Sequence, residues 1–225
     1  MNFLALANTL KSKCRVQGAP MGAVTGQTAD YQRLIGFVNE AWMDLQRSRE
    51  NWNWMRTTAQ FPTVNGQALY TIANIGLTDF GNWADQTFRL WDTAAGQISE
   101  QFLFYLNYET WRDRYQFGAF RTTLSQPLEV TVAPNFAIGL GPVPLAGYTI
   151  LGDYYREPSE MVDPGDVPAL PARYHMLIVY KAMMLYGATE AASEVYQDGE
   201  NSSRRVLNQM AINQLQTLEM GPALA

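Results

Sequence analysis

Apolar positions recur at three- and four-residue spacing at both ends of this chain and alternate in its middle, so the period of the pattern itself divides the sequence. Over residues 2–12, Phe3, Leu6, Ala7 and Leu10 share one helical face. Gly18, Pro20, Gly22 and Gly26 then break the chain into a loop up to Gln27. From Thr28, a residue type suited to an N-cap, Tyr31, Leu34, Ile35, Val38, Trp42, Leu45 and Trp52 keep helical spacing for about six turns. Asp30, Arg33, Glu40, Asp44, Arg47 and Arg49 fall on the opposite face, where ion pairs contribute little.

From Thr57 the period shortens to two. Runs over 57–64 and 67–72 flank Asn65-Gly66, the sequence signature of a β-hairpin, and Pro62 confines the first run to an edge or a bulge. A strand is predicted over 87–92, a short helix over 108–117 ended by Gly118, and strands over 128–133 and 136–140. Gly141-Pro142 turns the chain into a run from Tyr148 to Tyr155, in which Gly152 marks a bulge.

Pro158, Pro164, Pro168 and Pro171 follow. Each holds its predecessor extended, so the segment reads as an ordered strap. A helix then opens at Pro171, with Tyr174, Leu177, Ile178, Met184, Leu185 and Ala188 on one stripe that Lys181 alone interrupts. Gln197-Asp198-Gly199 is read as its break. Ser202 or Ser203 caps a last helix carrying Val206, Leu207, Met210, Ala211, Leu215 and Leu218, which Gly221-Pro222 ends. The predicted fold class is α+β: a helical bundle of the long N-terminal helix and two C-terminal helices, with a β-rich insertion between them. Its segments are 1–56, 57–155 and 156–225.

Composition narrows the function. With 225 residues, 47% of them hydrophobic, the chain has material for a sizeable core. A net charge of −5 argues against a protein that grips nucleic acid by neutralising phosphates. Cys14 is the single cysteine, which excludes an internal disulfide framework. FLALANTL, near the start, is too short to span a membrane and follows no charged signal region, so the cytosol or a particle assembled there is the expected location.

Candidate chemistry is sparse. His175, the single histidine, has no second histidine or cysteine near it in sequence and reads as a surface or helix-end residue rather than a ligand. Cys14 reads as an incidental thiol. Glu157, Glu160, Asp163 and Asp166 crowd one loop without EF-hand spacing, and Asp163-Pro164-Gly165-Asp166 has a turn's composition. No phosphate-binding glycine loop and no hydrolase or metalloprotease motif occurs. Arginines 47, 49, 56, 112, 114 and 121 alternate with Trp52, Trp54, Trp111 and Tyr115, a mixture able to stack bases; the alternative is that the rings fill the core and the arginines face water. Aromatic and arginine content also suits a large protein interface. The sequence therefore predicts no catalytic, metal or cofactor-binding residue.

Two stretches, WNWMRTTAQFPTVNGQALYTI from Trp52 and LPARYHMLIVYKAMMLYGATE from Leu170, together with FVNEAWMDLQ from Phe37, resemble the adaptor proteins of tailed-bacteriophage necks. The resemblance implies a non-enzymatic head-to-tail adaptor of the virion neck, assembled in the host cytoplasm. Such a protein forms a homo-oligomeric ring, usually of about twelve copies, that binds the portal protein and offers a platform to the tail or nozzle protein. DNA would pass through the lumen without sequence-specific binding, and no membrane is involved. The C-terminal helix and tail, from Ser203, would rise against the portal, with Leu218, Met220 and Leu224 filling its clefts. The longer middle, Asp79 to Leu140, would face the tail or the outside. Preorganised strap and aromatic surfaces, represented by Pro164, Pro168 and Tyr155, are the expected subunit contacts. Another tail or baseplate structural protein is the alternative reading, and a nucleic-acid-processing enzyme a more distant one.

Overall fold

The computed structural model describes residues 1–215. The chain forms two compact units, one of Met1–Met55 with the segment from Pro158 onward, the other of Arg56–Glu157. The fold class is α+β, as the change of period predicts.

In the first unit, helix α1 (Phe3–Lys13) buries Phe3, Leu6, Ala7 and Leu10, the face read from spacing. Helix α2 (Ala29–Arg47) buries Leu34, Ile35, Val38, Ala41, Trp42 and Leu45. It stops about a turn short of the sequence expectation, because the chain reverses after Ser48 and brings Trp52 back onto the helix it has just left. The Trp52 indole N–H donates to Leu45 O at 3.1 Å, satisfying a carbonyl of the last turn. A single 3-10 turn, Asn53–Met55, follows, and the Trp54 ring lies 5.3 Å from that of Trp42.

Helix α5 (His175–Thr189) is the centre of this unit and packs against α1, α2 and α6 (Ser193–Gln214). Its buried residues, including Leu177, Ile178, Val179, Ala182, Met183 and Gly187, extend beyond the stripe expected from sequence. Ala188 is exposed. The predicted break at Gln197-Asp198-Gly199 is absent. The chain turns earlier, around Ala191 at φ 51, and α6 runs straight through Gly199. That glycine is required by packing: a Cβ there would lie 2.7 Å from Tyr180 O of α5. Gly187 is the reciprocal case, since its Cβ would meet Tyr196 N at 2.7 Å. The α5–α6 hairpin is closed by Asn213 Nδ2 donating to the Tyr174 hydroxyl at 3.0 Å.

The second unit is built on β11 (Tyr148–Arg156). This strand pairs antiparallel with β1 (Arg56–Pro62) over seven positions, from Arg56↔Tyr155 to Pro62↔Thr149. On its other side it pairs with β3 (Phe80–Trp83) and β4 (Arg89–Asp92), and β5 (Gln101–Phe102) follows β4. A second sheet has the order β2 (Leu69–Tyr70), β9 (Ile138–Gly141), β8 (Glu129–Val132) and β6 (Phe104–Tyr105). Phe61, Trp83, Leu90 and Ile150 from the first sheet and Phe88, just before β4, meet Tyr70, Val130, Ile138 and Leu140 from the second in one core.

Asn65-Gly66 makes its turn, with Gly66 at φ 78 and Gln67 N–H donating to Val64 O, but not the predicted hairpin. The strands on either side belong to different sheets. Alternation fixes which face of a strand is buried without naming its partner, and β11 offers β1 seven matched positions. The competing run shrinks to two residues because Thr71 starts a short helix, α3 (Ile72–Ile75), with a reciprocal Thr71–Asn74 capping box. Pro62 closes an edge strand, where a missing N–H is tolerated. The bulge expected at Gly152 is absent, and the irregularity lies opposite Tyr155 and Arg156, where Gly81 of β3 is the extra residue; at Gly152 the lack of a Cβ leaves room for the Phe88 ring.

Helix α4 (Tyr108–Tyr115) covers the outer face of the second sheet. Gly139 and Gly141 leave the hollows into which Trp111 and Tyr115 fit: a Cβ at Gly141 would lie within 2.2 Å of the Tyr115 ring. Tyr115 OH then donates to Glu129 Oε2 at 2.6 Å, and burial first, then this bond, pushes the phenol's pKa up to about 12.

Candidate assembly surfaces

The proline strap is held residue by residue. Asn39 and Gln46 stand two helical turns apart on α2, and each side-chain amide pairs with the strap backbone as a β-partner would. Asn39 donates to Met161 O (2.9 Å) and accepts from Met161 N (3.0 Å); Gln46 donates to Ser159 O (3.0 Å) and accepts from Ser159 N (3.1 Å). Further along, Pro164 O and Asp166 O accept from Leu4 N and Phe3 N, so the strap takes up free amides of the first turn of α1. Asn8 repeats the device on the first loop, pairing with Met21 N and O. Amides at positions 39 and 46 on the inward side of an amphipathic helix were the available signal for this clamp, since a buried polar side chain needs a partner.

The acidic loop is an outcome of the same architecture. The Asp166 carboxylate accepts from Val162 N and Asp163 N, at 2.7 and 2.8 Å, and these bonds hold its pKa below the ordinary value. Among the described residues, no group of three or more His, Cys, Asp or Glu side chains is placed to hold a metal ion.

Of the expected subunit contacts, Pro164 is partly exposed, whereas Pro168 and Tyr155 are buried inside the protomer, the first in the strap itself and the second within β11. Burial in its own chain leaves a side chain little surface to offer a neighbour. The strap's exposed apolar residues are instead Val162 and Val167. Leu218, Met220 and Leu224 lie outside the described residues.

His175 is at a helix end, as expected, but it is buried and not on the surface. Nε2 lies 3.0 Å from Leu170 O and Nδ1 2.6 Å from the Met1 amine, and burial first of all holds its pKa below 6.5. Cys14 is buried too, and its thiol is pushed up to about 12, far from a nucleophile's range. Trp52 and Trp111 are core residues, so neither can stack a base; Arg47, Arg49, Arg114 and Arg121 are exposed.

The arrangement is thus one of clamped loops and packed aromatic rings, with exposed apolar residues on the strap, in the β-unit and, at Ile212, on α6. A family model described as SU10 adaptor protein matches residues 1–222, nearly the whole chain. The chain belongs to that family. No curated protein compared with it matches. The adaptor is accordingly a structural component of a bacteriophage virion, from a family of structural proteins and not of enzymes. No helix among the adaptor's described residues is long and apolar enough to cross a membrane.

Proposed function

We propose that this adaptor forms a homo-oligomeric ring of about twelve copies in the phage neck, bound to the portal and presenting the platform on which the tail or nozzle docks. The whole-chain family match carries this reading. Two physical features support it. Loops clamped at Ser159, Met161 and Met21 are ordered before assembly, so little conformational entropy remains to be lost on contact. A net charge of −5 suits a lumen through which DNA slides without sequence-specific binding, because a basic wall would retain phosphates. The C-terminal segment, with Leu218, Met220 and Leu224, is the proposed portal contact.

The test is to mix purified adaptor with the portal of the same virus and image the product by electron microscopy. A symmetric ring stacked on the portal is expected, and it is lost when the chain is truncated after Gln214. Failure to bind portal under assembly conditions favours another tail or baseplate structural role.

A further inference from the structure

In the β-unit, residues 117–125 are exposed throughout, and they carry Phe117 (57%), Phe120 (58%) and Leu124 (45%). The segment turns away from α4 at Gly118, whose φ of 71 with ψ of −158 is accessible to glycine. It is tied back through a two-residue parallel ladder, β7 (Leu124–Ser125) with β10 (Val143–Pro144). Amid its apolar side chains stands Arg121. Arg56, Arg89, Arg112 and Arg114 each have a carboxylate within ion-pair distance, but among the described residues Arg121 has none. Large apolar groups around an unpaired guanidinium are the composition of an interface anchor.

The strap has the complementary character. Val162 (67%) and Val167 (62%) project from it, Asp163 lies exposed between them and Glu160 just before them. Among the described residues neither carboxylate has an ion-pair partner, and the backbone beneath is fixed by α1 and α2.

We infer that the 117–125 arm of one copy docks on the 160–167 strap of the next, Phe117, Phe120 and Leu124 covering Val162 and Val167 while Arg121 faces Asp163 and Glu160. The inference rests on the ring reading and names its contact. A second copy is favoured over a different partner because the two surfaces match in charge and apolar character within one sequence, and a contact between unlike faces repeats around a closed ring. Copies that each carry −5 repel one another, and a cation placed where they meet offsets part of that repulsion.

Charge reversal tests it. Sedimentation velocity is run on the full-length protein over a range of concentrations, with and without portal, for wild type, Arg121→Glu, Asp163→Arg and the double variant. Circular dichroism confirms that each remains folded. The inference expects each single variant to weaken self-association by about tenfold or more, and the double variant to recover most of the loss. A wild-type ring that neither single variant weakens overturns the contact and leaves the ring reading standing. Loss in Arg121→Glu without recovery in the double variant places the arm on another surface and overturns the strap as its partner. Absence of a discrete wild-type oligomer in both conditions removes the ring reading and this contact with it.

Discussion

Alanine at Gly199 and at Gly36 should move stability in opposite directions. In an unconstrained helix interior, Gly→Ala stabilises by roughly 0.5–1 kcal/mol because the unfolded chain loses freedom. Gly36 is such a site, exposed on α2 with nothing within 4 Å of an added Cβ. At Gly199 the same methyl would sit 2.7 Å from Tyr180 O and 3.1 Å from both Met183 Cβ and Met184 Cγ. The first of these is helix backbone, so relief requires α5 and α6 to separate by roughly half an ångström or more, and overpacking of this kind costs about 1–3 kcal/mol. Subtracting the propensity gain leaves a net loss of up to about 2 kcal/mol. Urea titrations followed by helical ellipticity measure both variants against wild type. If Gly199→Ala gains as much as Gly36→Ala, the close approach of the two helices is refuted.

Trp42→Ala should destabilise the helical unit by about 3–5 kcal/mol, read as a fall in denaturation midpoint, since Trp42 is buried on the inner face of α2 against the Trp54 ring. Gln46→Ala should cost about 1–3 kcal/mol, because Ser159 N and O lose their partner, and should speed hydrogen exchange at the Ser159 amide while leaving the β-unit's amides unchanged. His175 has a folded pKa below its unfolded value of 6.5, so the unfolded chain takes up a proton first. Stability is full above pH 6.5 and declines as pH falls through 6.5 towards the folded pKa; in His175→Gln that decline should be shallower in the same interval. NMR titration of Asp166 should give a midpoint below the ordinary 3.8, returning towards it if the Val162 and Asp163 amide bonds are lost.

What the sequence disclosed, and what it withheld, follows from the range of the interactions involved. The faces of α1 and α2 were legible because burial of Phe3, Leu6, Leu34 and Val38 depends on spacing along one element. Strand partnership was not, since the choice of β11 over the neighbouring run for β1 is settled some ninety residues away in sequence. Gly199 misled for a related reason. A glycine that ends a helix and one that admits a second helix look alike until the neighbour is in place. At the assembly surfaces, the strap's order was legible from its prolines, but its fastening by Asn39 and Gln46 was not, and Tyr155 and Pro168 proved to be interior.

The ladder between β1 and β11 has a further consequence. Arg56 and Tyr155 face each other at its base, so the chain departs for its hundred-residue excursion and comes home at neighbouring points. A longer or shorter insertion beyond that doorway leaves the order of elements in the helical unit as it is. A family of virion adaptors would find in this pair of strands a place to exchange one inserted unit for another.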